Sequence, residues 1–133
     1  MRTDPITVED NTSLSDLVQN YIYTYHHQMF PVVQESRVVG CIHARQLKEI
    51  PREAWSQRTV GELAQRCSED NAVDPEKDAW EVLGMMRRTG NSRLLVMKDG
   101  SLIGIVTLKD LLRFLSIKLD LEGEHLNASD LRA

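Results

Sequence analysis

The chain has 133 residues, of which 41% are apolar and 27% charged, with 16 basic against 20 acidic side chains and a formal net charge of −4. That length suits one compact domain or two intimately packed halves. The acidic excess argues against a dedicated nucleic-acid binder, which presents a basic face. No apolar run approaches the roughly 20 residues that cross a bilayer, because the stretch from Leu102 to Leu121 is broken by Lys109, Asp110, Arg113, Lys118 and Asp120. The opening residues lack the apolar core of a signal peptide, and two cysteines, Cys41 and Cys67, are too few for a disulfide framework.

Taken in chain order, the first expected element is a short extended piece, Ile6 to Val8, after Asp4-Pro5. Ser13 with Asp16 three residues on predicts a helix start. The apolar face of that helix is Leu14, Leu17, Val18, Tyr21 and Ile22. Two strands follow, Met29 to Val33 and Arg37 to Ile42, around the polar turn Gln34-Glu35-Ser36. A last short helix carries Leu47 and Ile50 before Pro51 ends it.

Those elements then recur. Val38 to Leu47 superimposes on Leu102 to Leu111 at an offset of 64, matching Gly40 with Gly104, and Pro31-Val32-Val33 falls on Leu95-Val96-Met97. Leu14, Leu17, Val18 and Tyr21 match Ala79, Val82, Leu83 and Met86 at an offset of 65, which predicts one extra residue in the intervening loop. In the second copy Asp74-Pro75 predicts a helix start. Strands Arg93 to Met97 and Leu102 to Thr107 flank Asp99-Gly100, a hairpin signal. The closing helix runs from Leu108 to about Leu119. The expectation is an α+β fold of two β-α-β-β-α units with pseudo-two-fold symmetry and a shared core: unit 1 over 1–50, a linker over 51–58, unit 2 over 59–121 and a polar tail over 122–133. Because Thr59 to Leu63 leads into the second unit and the first has no counterpart, the lead-in of unit 1 is expected to be truncated.

This pattern resembles a tandem pair of CBS domains, the Bateman module, over Arg2 to Leu119. Gly104-Ile105-Val106-Thr107-Leu108-Lys109-Asp110 is similar to the family's Gly-h-x-Thr/Ser-x-x-Asp signature. The resemblance implies that Thr107 and Asp110 hold the phosphate and ribose of an adenosyl ligand such as ATP, ADP, AMP or S-adenosylmethionine, with Gly104, Ile6, His27 and Gln28 nearby. Strand-to-helix junctions suit phosphate, since free N–H groups and the helix dipole meet there. A carboxylate one turn on can accept ribose hydroxyl protons. The alternative is structural: Thr107 as a helix cap and Asp110 as a first-turn acid. In unit 1, His43 and Gln46 replace the threonine and aspartate, so at most one adenosyl site of this kind is expected per chain, with His43 as a cap or exposed side chain.

A narrower resemblance comes from Ile50-Pro51-Arg52-Glu53-Ala54-Trp55, Tyr23 to Val32 and Ser116 to Leu121, which look like the CBS pair attached to site-2-type intramembrane zinc metalloproteases. It implies a regulatory module on the cytoplasmic side of an integral membrane parent, with a covalently attached protease domain as partner. A homodimer through the CBS units and no nucleic acid are also implied. Zinc would belong to the parent alone. This chain has no His-Glu-x-x-His, no Cys-x-x-Cys, no Gly-x-Ser-x-Gly and no phosphate-binding Walker loop, and Cys41 replaces an aliphatic strand residue as a core thiol. No catalytic or metal-binding role is therefore expected of it. A ligand-free dimerisation or docking module and a free-standing CBS sensor are the competing readings.

Overall fold

A computed structural model describes residues 3–122. Of the expected polar tail, Glu122 falls in the last helix and residues 123–133 lie outside the described residues. Packing divides the chain into two units, Asp4–Cys67 and, with Thr3, the residues from Ser68 onward. The repeat and the packing thus draw different boundaries. The lead-in from Thr59 opens the second repeat in sequence, while its contacts lie in the unit formed by Asp4–Cys67.

In that unit, β1 (Val8–Glu9) is parallel to β2 (Met29–Gln34), which pairs antiparallel with β3 (Arg37–His43), and β3 pairs with β4 (Gln65–Arg66). Gly40 is required where β4 crosses, since a Cβ there would stand 2.0 Å from the Gln65 carbonyl oxygen. In the second unit β5 (Ala72–Val73) is parallel to β6 (Arg93–Lys98), which pairs with β7 (Ser101–Thr107). The two hairpins share one register: Met29 opposes His43 as Arg93 opposes Thr107, and each ladder slips at the same place, Val32/Val33 and Val96/Met97. Their turns are alike. Glu35 and Ser36 have φ of 51° and 69°, and Asp99 and Gly100 of 51° and 80°, which is the left-handed pair that a two-residue hairpin demands.

The helices differ more. Helix α1 covers residues 14–25: an α-turn Leu14–Asp16, a π-helical stretch Leu17–Ile22 and a final turn Tyr23–Tyr25. Ser13 caps it by accepting the Asp16 N–H at 3.1 Å. Its counterpart, α3 (Ala79–Thr89), is regular. Both end on a left-handed residue, His26 (φ 59°) and Gly90 (φ 77°), whose N–H donates to Ile22 and Met86 at 2.9 Å in each case. The helix starts are therefore 65 residues apart and the ends 64. The extra residue is taken up inside α1 as the wide π turn, where the Tyr23 N–H reaches back to the Val18 carbonyl. The loop expected to absorb it does not. Asp74-Pro75 does not start a helix either. Asp74 accepts the Glu76 N–H on its carboxylate (2.8 Å) and the Lys77 N–H on its carbonyl (3.0 Å), a tight Asx turn, and α3 begins at Ala79.

The closing elements diverge in length. After β3 the chain makes a 3-10 helix, Ala44–Glu49, a second 3-10 turn, Arg52–Ala54, and a four-residue helix α2 (Val60–Leu63). After β7 it makes one long helix, α4 (Leu108–Glu122). Each unit has its own buried cluster. The first holds Val8, Leu14, Leu17, Phe30, Val32, Ile42, Leu47 and Val60. The second holds Val73, Val82, Met85, Met86, Leu94, Val96, Leu111 and Leu115.

Candidate functional site

Thr107 closes β7 and is half-buried, as is Asp110 in the first turn of α4. The Thr107 hydroxyl oxygen accepts the Asp110 N–H at 3.1 Å, and the Leu108 N–H donates to the Ser92 carbonyl at 2.8 Å. The strand thus hands directly over to a 15-residue helix whose positive end bears one hydroxyl and one carboxylate. The structural reading of Thr107 as a cap is realised, and the same placement leaves its hydroxyl at the strand-to-helix junction. Gly104 lies three residues earlier on β7, buried and opposite Val96.

The first unit uses the same junction differently. The Ala44 N–H donates to the Gln28 carbonyl at 2.8 Å, the exact counterpart of the Leu108 bond at an offset of 64. Here the His43 side chain accepts the Gln46 N–H, and the Gln46 carboxamide oxygen accepts the His43 N–H at 2.8 Å, a reciprocal capping box. The Gln46 carboxamide also donates to the Leu63 carbonyl at 2.7 Å. His43 is 4% exposed, with its Nε2 at 3.9 Å from the Cys41 sulfur. The two residues that replace threonine and aspartate therefore bind each other, Gln46 half-buried and His43 a buried cap with no exposed face for an anion.

Ile6 precedes β1 and packs against the first buried cluster. His27 and Gln28 lead into β2, and the His27 ring lies among aromatic rings, 6.0 Å from Tyr25 and 5.7 Å from Phe30 between centroids. These three belong to the first unit, and Gly104, Thr107 and Asp110 to the second. Within the second unit the structure brings Thr107 and Asp110 together.

Cys41 is buried, and desolvation, followed by the neighbouring Cys67, pushes its thiol up to about 11. Cys67 is exposed on the surface, and burial of part of its side chain raises its thiol in the same direction. Neither is the activated thiolate that nucleophilic chemistry needs. The Arg58 guanidinium bonded to Glu62 holds that carboxyl below its usual range. Among the described residues no group of three His, Cys, Asp or Glu side chains is placed to hold a metal ion, and no helix is long and apolar enough to cross a membrane.

Sequence reasoning missed a second feature. Val73, Asp74, Ala79, Val82, Val96, Val106, Leu111 and Phe114 line a cleft of about 390 Å³ within the second unit. The signal for it was present: Ala79 stands at the repeat position that Leu14 fills in the first. It also missed Asn91, a buried side chain whose amide donates to the Asp70 carbonyl at 2.8 Å and fixes the loop ahead of β5.

Two copies of a parallel strand, a helix, a hairpin and a strand-to-helix junction, the second junction bearing threonine and aspartate, define a tandem repeat module. The chain belongs to the CBS domain family, whose pattern it matches over residues 1–53 and 60–117. It is 26% identical over 119 residues to Rip3 of Mycobacterium tuberculosis, a protein named as a zinc metalloprotease, covering 88% of this chain and 30% of that protein. It is 29% identical to the zinc metalloprotease MJ0392 of Methanocaldococcus jannaschii over 124 residues, 93% of this chain and 33% of the other. The chain thus spans about a third of these relatives. Among solved structures it resembles the CBS domain of a bacterial CNNM/CorC family Mg2+ transporter in complex with ATP, with a TM-score of 0.74 and 26% identity, over 87% of this chain and 82% of that one. These likenesses agree with a CBS pair of the kind associated with site-2-type metalloproteases.

Proposed function

We propose that this chain is the cytoplasmic regulatory module of an intramembrane zinc metalloprotease, itself without catalytic activity, and that it senses an adenine nucleotide or S-adenosylmethionine at Thr107 and Asp110. The observation that carries this reading is the contrast between the two junctions. In the first unit the side chains at the signature positions cap each other, whereas in the second a hydroxyl and a carboxylate stand half-buried at the start of a 15-residue helix. The helix end and the Thr107 hydroxyl favour a phosphate, and the Asp110 carboxylate accepts the ribose hydroxyl protons. Support for the ligand class comes from the ATP complex of the transporter CBS domain, and support for the parent from the two metalloprotease relatives. The ligand regulates by binding one arrangement of the parent more tightly than another; only that difference in affinity can shift the equilibrium.

Calorimetric titration with ATP, ADP, AMP and S-adenosylmethionine tests the reading. Wild type binds at least one of them, and Asp110→Ala abolishes that binding while the chain remains folded. Absence of binding by all four ends the sensing reading.

A ligand-free assembly module is the second reading, favoured by the apolar surface of α4, where Leu112, Phe114, Ile117 and Leu121 are exposed by 48%, 53%, 53% and 82%. It predicts a homodimer by sedimentation, disrupted by Ile117→Glu, and a parent protease whose activity is unchanged when Thr107 and Asp110 are both replaced by alanine.

A further inference from the structure

The first unit holds a cleft of its own, about 400 Å³ in volume, and neither His43 nor Gln46 lines it. Its position follows from the topology. Asp10 follows β1, Gln34 closes β2 and Val39 lies near the start of β3, so these lining residues sit toward the turn end of the sheet, whereas His43 and Gln46 lie at and beyond the opposite end of β3. The walls are fastened by backbone. The Asp10 N–H donates to the Val33 carbonyl at 2.9 Å, and the Asp10 carbonyl accepts the Gly61 N–H at 2.7 Å, which ties the loop after β1 to both the sheet and α2. That approach is close: a Cβ at Gly61 would stand 3.0 Å from the Asp10 carbonyl oxygen.

The lining combines both signs of charge with an apolar patch. Asp10, half-buried, brings one carboxylate from the loop, Glu62 brings a second from α2, and Arg66 brings a guanidinium from β4. Glu62 is held by its ion pair with Arg58, which also keeps its carboxyl below the usual range. Val32, Val39 and Ala64 supply the apolar part, with Val32 fully buried. A phosphate or other plain anion meets two carboxylates here, and a plain organic cation meets Arg66. A molecule with both charges a few bonds apart meets neither conflict: its ammonium faces Asp10 and Glu62, and its carboxylate takes the guanidinium fork. An aliphatic side chain on the same molecule then covers the valines and Ala64. The volume falls within the range of small-molecule clefts. We propose that this cleft binds a free α-amino acid with a branched aliphatic side chain. The inference is independent of nucleotide binding at Thr107 and Asp110.

The test is calorimetric titration of the whole chain with L-leucine, L-isoleucine and L-valine, and with leucinamide and N-acetyl-L-leucine, which lack the carboxylate and the ammonium respectively. At least one of the three amino acids binds wild type at one site per chain, and each leucine derivative binds about tenfold or more weakly than leucine. Asp10→Asn and Arg66→Gln each weaken amino-acid binding by a similar factor, while Asp110→Ala leaves it unchanged. The derivatives probe wild type itself, so the outcome does not depend on how well the variants fold. Absence of binding by all three amino acids overturns the proposal. Equal affinity for leucine and either derivative, unchanged affinity in either cleft variant, or loss of amino-acid binding in Asp110→Ala does so as well.

Discussion

The two units share a hairpin register, a turn conformation and a strand-to-helix junction, yet the side chains at that junction have opposite fates. In the first unit His43 and Gln46 are consumed by each other and by the Leu63 carbonyl. In the second, the Thr107 hydroxyl caps α4 and Asp110 rides on its first turn. The lesson is that a repeated backbone does not imply a repeated site. Replacing a short hydroxyl and a carboxylate by an imidazole and a carboxamide lets the pair satisfy both partners of a capping box, which closes the junction and fastens the chain that returns through α2.

The largest effect on this comparison is expected from exchanging the two helix starts. Leu14 is fully buried, so Leu14→Ala should cost about 2–5 kcal/mol in chemical denaturation. The reverse change, Ala79→Leu, enters an open cleft and should leave the denaturation midpoint level or raised. Equal penalties in both directions would show that the units are packed alike.

The next effect is pH-dependent and confined to the first unit. Cys41 holds its proton more tightly when folded, with its thiol raised from an ordinary 9.0 to about 11. A raised acid favours the folded state fully below pH 9.0, and that contribution disappears as the pH climbs to about 11. The expected loss is about 2–3 kcal/mol, read from denaturation curves across that window. Cys41→Ala should remove most of this slope, leaving the part due to Cys67, and alkylation at neutral pH should modify the exposed Cys67 well before Cys41.

Smaller still is the junction itself. Gln46→Ala removes two hydrogen bonds, to His43 and Leu63, and should cost about 1–2 kcal/mol. Asp110→Ala should cost under about 1 kcal/mol while eliminating nucleotide binding. A larger stability loss at Asp110 than at Gln46 would invert the assignment of structural and binding roles.

The smallest expected contrast lies at the helix ends. Gly90→Ala places a Cβ at φ 77° and should cost about 1 kcal/mol, whereas His26→Gly relieves a left-handed non-glycine residue and should gain several tenths of a kcal/mol.

Much of this architecture was legible in the sequence because hairpin signals are local. Asp99-Gly100 and the alternation on either side of it determine register by themselves, and the match of Gly40 with Gly104 reveals the repeat. The helix boundaries were less legible. An extra residue between two matched segments reads as a loop insertion, yet in the structure it widens α1 into a π turn, because both ends of that helix are held by packing and a left-handed cap. Asp74-Pro75 has the composition of a helix start, but the Asp74 side chain and carbonyl close a turn first. At the candidate site, Thr107 and Asp110 were readable as a motif. That His43 and Gln46 would satisfy each other was not, since it depends on burial and on a third partner, Leu63, seventeen residues away from Gln46. The open cleft depends on side chains brought together from five elements of the second unit, and only the pairing of Leu14 with Ala79 hinted at it.

The most direct test of the unequal junctions is the stoichiometry and location of nucleotide binding. Titration of wild type, Gln46→Ala and Asp110→Ala with whichever of the four ligands wild type binds should give one ligand per chain in the first two and none in the third. Two ligands per wild-type chain, or full binding by Asp110→Ala, would contradict the account.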